Sequence, residues 1–382
     1  MGNRIHRGGS RFFRVSLTTV IAAGALVALP ALGGTAGASA TTLYVATGGN
    51  DAGSCTAASP CATIQTAVNL ANPGDTVNVA KGTYHQQVEI DKAINLVGAG
   101  SKKTIINGAG LDSQTPVDDP AYPVDQGGPT FNQFGVVQFG DTGGAASLTG
   151  FTITNPAPYA WTGGQPYAVS VYYGGPTDTV TISNDNITEG TADTGASTDF
   201  PIGIDVYPCP GTTLVHNNTI SGFYQGALFE DDGPVSFNLN KVSGLIPGVQ
   251  TSPTVIYPPE GAYFLADDSG THPAQNATDN TFSGYAGIGI KIQGGYYTPG
   301  SPPSLQYGYI SGTYANNIIK LLGIAGGVGI LLDTPTGTSD TTATLTGNKG
   351  YVTSPDLSIS SSAALGGTIT LSQYGNNIKV HP

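Results

Sequence analysis

Five carboxylates and one lysine carry the strongest chemical signal in this chain. Asp205, Glu230, Asp231, Asp232, Asp267 and Lys291 all fall within short segments that can be laid over one another. Carboxylates brought close together repel unless they share a proton, which makes one a general acid, or unless a hard cation such as Ca²⁺ takes their oxygens. A lysine beside such a cation can lose its proton and act as a base.

The segments that hold them are GVVQFGD from Gly135, AVSVYYG from Ala168, GIDVYPC from Gly203, GALFEDD from Gly226, GAYFLAD from Gly261, GIGIKIQ from Gly287 and GVGILLD from Gly327. Their spacing, 23 to 40 residues, fits coils of roughly 20–25 residues with loop insertions in some of them. The expectation is a solenoid. Side chains alternate along a strand, so the apolar second and fourth positions point inward and the third, fifth and seventh point outward. Outward positions then carry Asp205 and Tyr207, Glu230 and Asp232, Tyr263 and Asp267, Lys291 and Gln293, and Asp333. In this register Asp232 and Asp267 lie one strand spacing apart, and Lys291 shares Glu230's position two coils on, roughly 10 Å away. A second repeat, N-x-x-x-G at Asn186, Asn218, Asn240 and Asn280 with a degenerate copy at Asn317, predicts a polar ladder at a corner between sheets.

Composition limits the possible partners. Arg4, Arg7, Arg11 and Arg14 precede an apolar run from Val15 to Leu32 and the small residues Ala38-Ser39-Ala40, the pattern of a secretory signal. Residues 1–40 are therefore read as a removed segment and 41–382 as one secreted domain. No later stretch is long and apolar enough to span a bilayer, and no membrane anchor is expected. All the arginines lie in the signal, so the remainder has a net charge of −16 from nine lysines and 25 carboxylates. A surface of that sign is a poor partner for nucleic acid. Cys55 and Cys61 flank a Ser-Pro turn in an exported chain and predict a local disulfide; Cys209 is read as a buried structural thiol. The histidines show no metal-ligand spacing.

Ile64, Ala67, Val68 and Ala71 in ATIQTAVNLA recur at helical spacing before Pro73-Gly74, and the β-like runs TVNVA, VEI, INLVGAG and TIING follow. A helix there, within a capping region of about 41–75, would cover the exposed core of the first coil. The run CATIQTAVNLANPGDTVNVAKGTYHQQVEIDKAINLVGAGSKKTIING resembles the opening of secreted right-handed parallel β-helix proteins of the pectin-lyase-like superfamily. The resemblance implies an all-β right-handed parallel β-helix, a capping helix and an extracellular polysaccharide partner, with a monomer expected.

The superfamily's chemistries are several, and fold does not choose among them. The order Asp205, then Asp231 and Asp232, then Lys291 is similar to calcium-dependent lyases of this fold that use a lysine base. Taken with the aligned register, which adds Asp267 beside Asp232 and Glu230 in Lys291's position, this gives an expected Ca²⁺ on Asp231, Asp232 and Asp267, with Lys291, Asp205 and Glu230 catalytic on a uronate polymer. Arginine-dependent versions cannot be built without arginine. Two further readings stand beside the lyase: an inverting glycoside hydrolase using a carboxylate pair among Asp205, Glu230 and Asp232, and a non-catalytic carbohydrate-binding or surface protein. Tyr207, Tyr263, Trp161, Tyr296 and Tyr297 are the aromatic faces expected to meet sugar rings.

Overall fold

The computed structural model describes residues 39–109, 135–154, 167–172, 174–190, 200–207, 209–230, 233–251, 254–266, 272–284, 287–298, 304–306, 308–321, 328–334, 339–352, 357–361 and 368–380. For 248–251, 254–257, 296–298, 304–306 and 357–361 the description is of backbone only. The described strands build three long parallel sheets of eleven, nine and ten strands. Successive strands go to successive sheets: Thr212–His216 belongs to the eleven-stranded sheet, Thr219–Ser221 to the ten-stranded and Gln225–Glu230 to the nine-stranded, before Val235–Asn238 begins the next coil. This is the right-handed parallel β-helix.

The seven aligned segments all lie on the nine-stranded sheet. Their inward residues fill the interior: Ile204, Val206, Ala227, Phe229, Ala262 and Phe264 are fully buried. Phe229 stacks on Phe264 with centroids 5.0 Å apart, and Tyr314 meets Phe264 edge-on at 5.3 Å.

The register within that sheet differs from the sequence expectation at both ends: Val137, not Val136, pairs with Val169, so the first segment is displaced by one residue and turns Gln138 outward. Ile204 pairs with Ala227 and Ala227 with Ala262, as aligned, but Ala262 then pairs with Ile290 and Ile290 with Ile330. The last two segments are thus displaced by two residues, and Gly289 and Gly329, not Gly287 and Gly327, continue the glycine column. A slip of two preserves the in-out alternation, so hydrophobic pattern alone does not detect it. Packing does. A Cβ on Gly226 would sit 2.5 Å from the Gly261 carbonyl oxygen and 2.6 Å from Val242 Cγ1, and one on Gly289 would sit 2.6 Å from the Gly329 oxygen. These glycines occupy an extra inward position against the core of the ten-stranded sheet. Gly226→Ala is expected to cost about 1–3 kcal/mol through overpacking, read as a lower denaturant midpoint. An unchanged midpoint would show that the column tolerates a methyl group.

At the N-terminal end, the helix Ile64–Leu70 buries Ile64, Ala67 and Val68, with Thr63 as its N-cap. Gln86 Oε1 accepts from the Ile64 and Gln65 amides, tying the helix start to the first coil. The expected disulfide between Cys55 and Cys61 is present, and Cys209 is buried. Two insertions contain antiparallel strand pairs, Gly248–Thr251 with Thr254–Tyr257 and Tyr296–Thr298 with Ser304–Gln306. No helix among the described residues is long and apolar enough to cross a membrane.

Candidate functional site

Three columns of side chains leave the outer face of the nine-stranded sheet. The middle one, set by strand pairing, runs Glu89, Gln138, Ser170, Asp205, Leu228, Tyr263, Lys291 and Leu331. Toward the strand C-termini, Glu230 pairs with Leu265, Gln293 and Asp333 in turn. Lys291 therefore shares its column with Tyr263 and Asp205, and the expected alignment of Lys291 with Glu230 is corrected. A third column, at the strand starts, is Tyr167, Ile202, Gln225, Glu260 and Ile288. It exists because the glycine and the residue after it both face inward, which turns the residue before the glycine outward.

This face is more enclosed than the alternation predicts. Tyr167, Ile202, Leu228, Tyr263 and Leu265 form an apolar cluster outside the main core, and Asp205 among them is only 1 % exposed. The Tyr172 hydroxyl donates to Asp205 Oδ2, while Asp205 Oδ1 is buried with no hydrogen-bond partner. Burial pushes the Asp205 carboxyl up to about 7, against the lowering effect of the Tyr172 hydrogen bond. Tyr167 and Tyr172 are held well above the usual tyrosine range, first by burial and then by the Asp205 charge. Their rings meet edge-on at 6.2 Å, and Tyr172 meets Tyr207 in the same way at 6.2 Å. Glu230 is half-buried and close enough to Tyr167 for its charge to raise that tyrosine further.

A second polar group lies further along the sheet. Lys291 Nζ is 3.2 Å from Glu260 Oε1 and 3.9 Å from the centroid of the Tyr263 ring. Gln225 Nε2 donates to Glu260 Oε2 at 2.7 Å. Lys291 is thus engaged as a cation by a buried carboxylate and an aromatic face. Its column places it three strands from Asp205, about 14 Å by strand spacing, so the two cannot address the same atom of a substrate.

Of the residues expected from sequence, Asp205, Tyr207 and Glu230 come together, and Tyr263 joins Lys291. Asp231, Asp232, Asp267 and Trp161 lie outside the described residues, as do the side chains of Tyr296 and Tyr297. Among the described residues no group of three or more His, Cys, Asp or Glu is placed to hold a metal. Sequence reasoning missed Tyr172, Tyr167, Gln225 and Glu260. Tyr172 occupies the fifth position of its segment, as Tyr207 does, and that shared position was an available signal.

Three stacked parallel sheets with a helix over the first coil define a β-helix of the pectin-lyase-like class. Within it, residues 47–244, just over half of the chain, match the family described as "Protein of unknown function (DUF1565)", and the chain belongs to that family. Among solved structures, the alginate lyase from Paenibacillus sp. str. FPU-7 is similar at 14% identity and a TM-score of 0.51, over 89% of this chain and 98% of that one. Carrot pectin methylesterase is similar at 14% identity and a TM-score of 0.48, over 84% and 89%. Pectate lyase Pel9A gives 12% identity and a TM-score of 0.46, over 89% and 79%. At these identities the likeness is one of fold. No curated protein matches the chain in sequence.

Proposed function

We propose that this protein hydrolyses glycosidic bonds of a polysaccharide laid across the outer face of the nine-stranded sheet, with Asp205 as proton donor and Glu230 as the partner carboxylate. The observation that carries the reading is the state of Asp205. A carboxyl raised to about 7 keeps its proton in mildly acidic solution and can give it to a leaving oxygen. Tyr172 occupies Oδ2, and Oδ1 is buried with no hydrogen-bond partner, which leaves it the oxygen to carry the proton. Glu230 stands one strand on and two residues along, which by strand spacing and rise separates the two positions by about 8 Å. Inverting glycosidases place their carboxyls about 6.5–9.5 Å apart to admit a water. Asp205 is enclosed, so the tyrosine rings beside it must shift when substrate arrives.

An alginate lyase shares this fold, and a calcium-dependent elimination is the competing reading, with its ligands at Asp231, Asp232 and Asp267. It is distinguished by product. Incubation with neutral and uronate polymers, with calcium or with chelator, is expected to release reducing ends without unsaturated-product absorbance. Asp205→Asn and Glu230→Gln should each lower turnover at least ~100-fold. Chelator-sensitive unsaturation would replace hydrolysis by elimination. Silence across the polymers would favour a binding protein, which should then lose affinity when Trp161, Tyr296 or Tyr297 is removed.

A further inference from the structure

One pairing in the eleven-stranded sheet is incomplete. The strand Tyr309–Ala315 pairs with Asp340–Thr346 along its whole length, but its pairing with Gln275–Thr278 is confined to Ala277 with Tyr314 and Thr278 with Ala315. Where that ladder opens, the Thr313 amide turns to a side chain and donates to Asn276 Oδ1 at 2.8 Å. Gly312 stands at the opening. A Cβ built on it would run into the Gln275 carbonyl oxygen and lie 3.0 Å from the Tyr314 hydroxyl. Gln275 and Tyr314 are fully buried, and Gln275 Nε2, Gln275 Oε1 and the Tyr314 hydroxyl have no hydrogen-bond partner in the protein.

We propose that the solenoid interior beside Gly312 is a water-binding site, where ordered water bridges the Gln275 amide and the Tyr314 hydroxyl. Each buried polar atom left unsatisfied weakens folding about 5- to 100-fold. Three such atoms beside one glycine are a cost that a protein of ordinary stability does not carry dry. Buried waters typically make about three hydrogen bonds to groups of this kind, and an amide with a phenol hydroxyl offers both donors and acceptors. Burial holds Tyr314 well above the usual tyrosine range, so its hydroxyl keeps its proton and can donate. A cation is the poorer occupant, because these side chains bring no charge and Ca²⁺ takes about 6–8 oxygens.

A second hydroxyl supplies the contrast. Thr213 Oγ1 is also buried without a partner, but its neighbours in register are Val180 and Val235. A lone hydroxyl between valines gives water too few partners to stay. The site at Gly312 also supports the outer face from within. Tyr314 meets Phe264 edge-on, and Phe264 belongs to the strand Glu260–Ala266, which carries Glu260 and Tyr263 on its other side. Water that fixes the Tyr314 hydroxyl thereby fixes the ring beneath that strand.

Substitutions that delete polar atoms and keep shape test the site in the full chain. Tyr314→Phe retains the ring and its contact with Phe264, and is expected to raise the unfolding equilibrium constant about 5- to 10-fold, read from the denaturant midpoint. Thr213→Val removes a dry orphan and is expected to lower the same constant. Gln275→Leu should act as Tyr314→Phe does, and the two together should cost less than the product of the single effects, because both substitutions empty one shared bridge. Magnetic relaxation dispersion of the water signal counts waters held for longer than the protein takes to tumble; the double variant should hold at least one fewer than the unaltered chain. Circular dichroism checks that each variant folds. A Tyr314→Phe chain as stable as the unaltered one or more so, or an equal number of long-lived waters in the double variant, would overturn the site.

Discussion

Asp205→Asn is expected to leave resistance to unfolding nearly unchanged at pH 4 and to raise it by an amount of order 4 kcal/mol at pH 8. The carboxyl is near 3.8 in the unfolded chain and about 7 in the folded one. Between those values the folded state holds a proton that the unfolded state has lost. Unfolding stability therefore falls as pH rises from about 4 to about 7 and is level beyond, where a buried carboxylate has become charged. Asparagine is neutral at every pH, and its side-chain oxygen still accepts from the Tyr172 hydroxyl. The groups facing Asp205 are Tyr172, Tyr167 and, through Tyr167, Glu230. Denaturant midpoints of the unaltered chain and of Asp205→Asn across pH 4–8 give a difference curve that isolates the one carboxyl from the rest. Parallel curves would mean that Asp205 titrates normally, and the proton-donor assignment would fall with that result. A more stable but inactive variant is the pattern expected when a protein keeps a costly buried acid for its chemistry.

How far the sequence reaches is set by what its periodicities can distinguish. Alternation along GIDVYPC, GALFEDD and GAYFLAD assigns their strands to one sheet and their Ile, Val, Ala and Phe to the interior, because burial repeats every second residue. The same alternation is blind to a shift of two, which is why Lys291 moves from Glu230's column to that of Tyr263. It is also blind to the glycine step. Two successive inward residues at Gly261 and Ala262 send Glu260 outward, where it meets Lys291 and Gln225. That interruption is a property of packing: the glycine carbonyls of adjacent coils leave no room for Cβ. The enclosure of Asp205 was not legible either, since Tyr172 and Tyr167 meet it from the preceding coil and Leu228 stands beside it on the next.

The corner ladder was legible to within one residue, and its energetics follow from counting bonds. At the bend, a residue in the left-handed region precedes each rung: Asn217, Leu239, Asp279 and Asn316 have φ of 56–60° before Asn218, Asn240, Asn280 and Asn317. The rungs continue to Asn348 and Asn376, beyond the motif seen in sequence. At the other end the first rung is Asp185, not Asn186: the Asp185 amide donates to Asn218 Oδ1 at 2.9 Å, and Asn186 pairs with Thr219 in the following strand.

Asn280 shows what an interior rung does. Its Oδ1 accepts from the Asn240 amide at 2.9 Å and Asn240 Nδ2 at 3.1 Å, and its Nδ2 donates to the Phe237 carbonyl at 2.7 Å and to Asn317 Oδ1 at 3.0 Å. Asn280→Ala strands these buried partners at about 1–3 kcal/mol for each one left unsatisfied, so a loss of about 3–5 kcal/mol is expected in the denaturant midpoint. Asp185 lacks the amide donor that the later rungs use. Its Oδ1 accepts from the Phe151 amide at 2.7 Å, its Oδ2 is buried with no hydrogen-bond partner, and burial holds the carboxyl well above the usual range. Asp185→Asn supplies the missing donor and removes a buried ionisable group, so it should stabilise the fold at neutral pH by about 1–2 kcal/mol. Amide hydrogen exchange resolves the two effects by coil: Asn280→Ala should speed exchange in the coils of Asn240 and Asn317 first, because each repeat is held chiefly by its neighbours. An Asn280→Ala midpoint within 1 kcal/mol of the unaltered chain would show that water replaces the rung, and the ladder would then be a consequence of the bend rather than one of its causes.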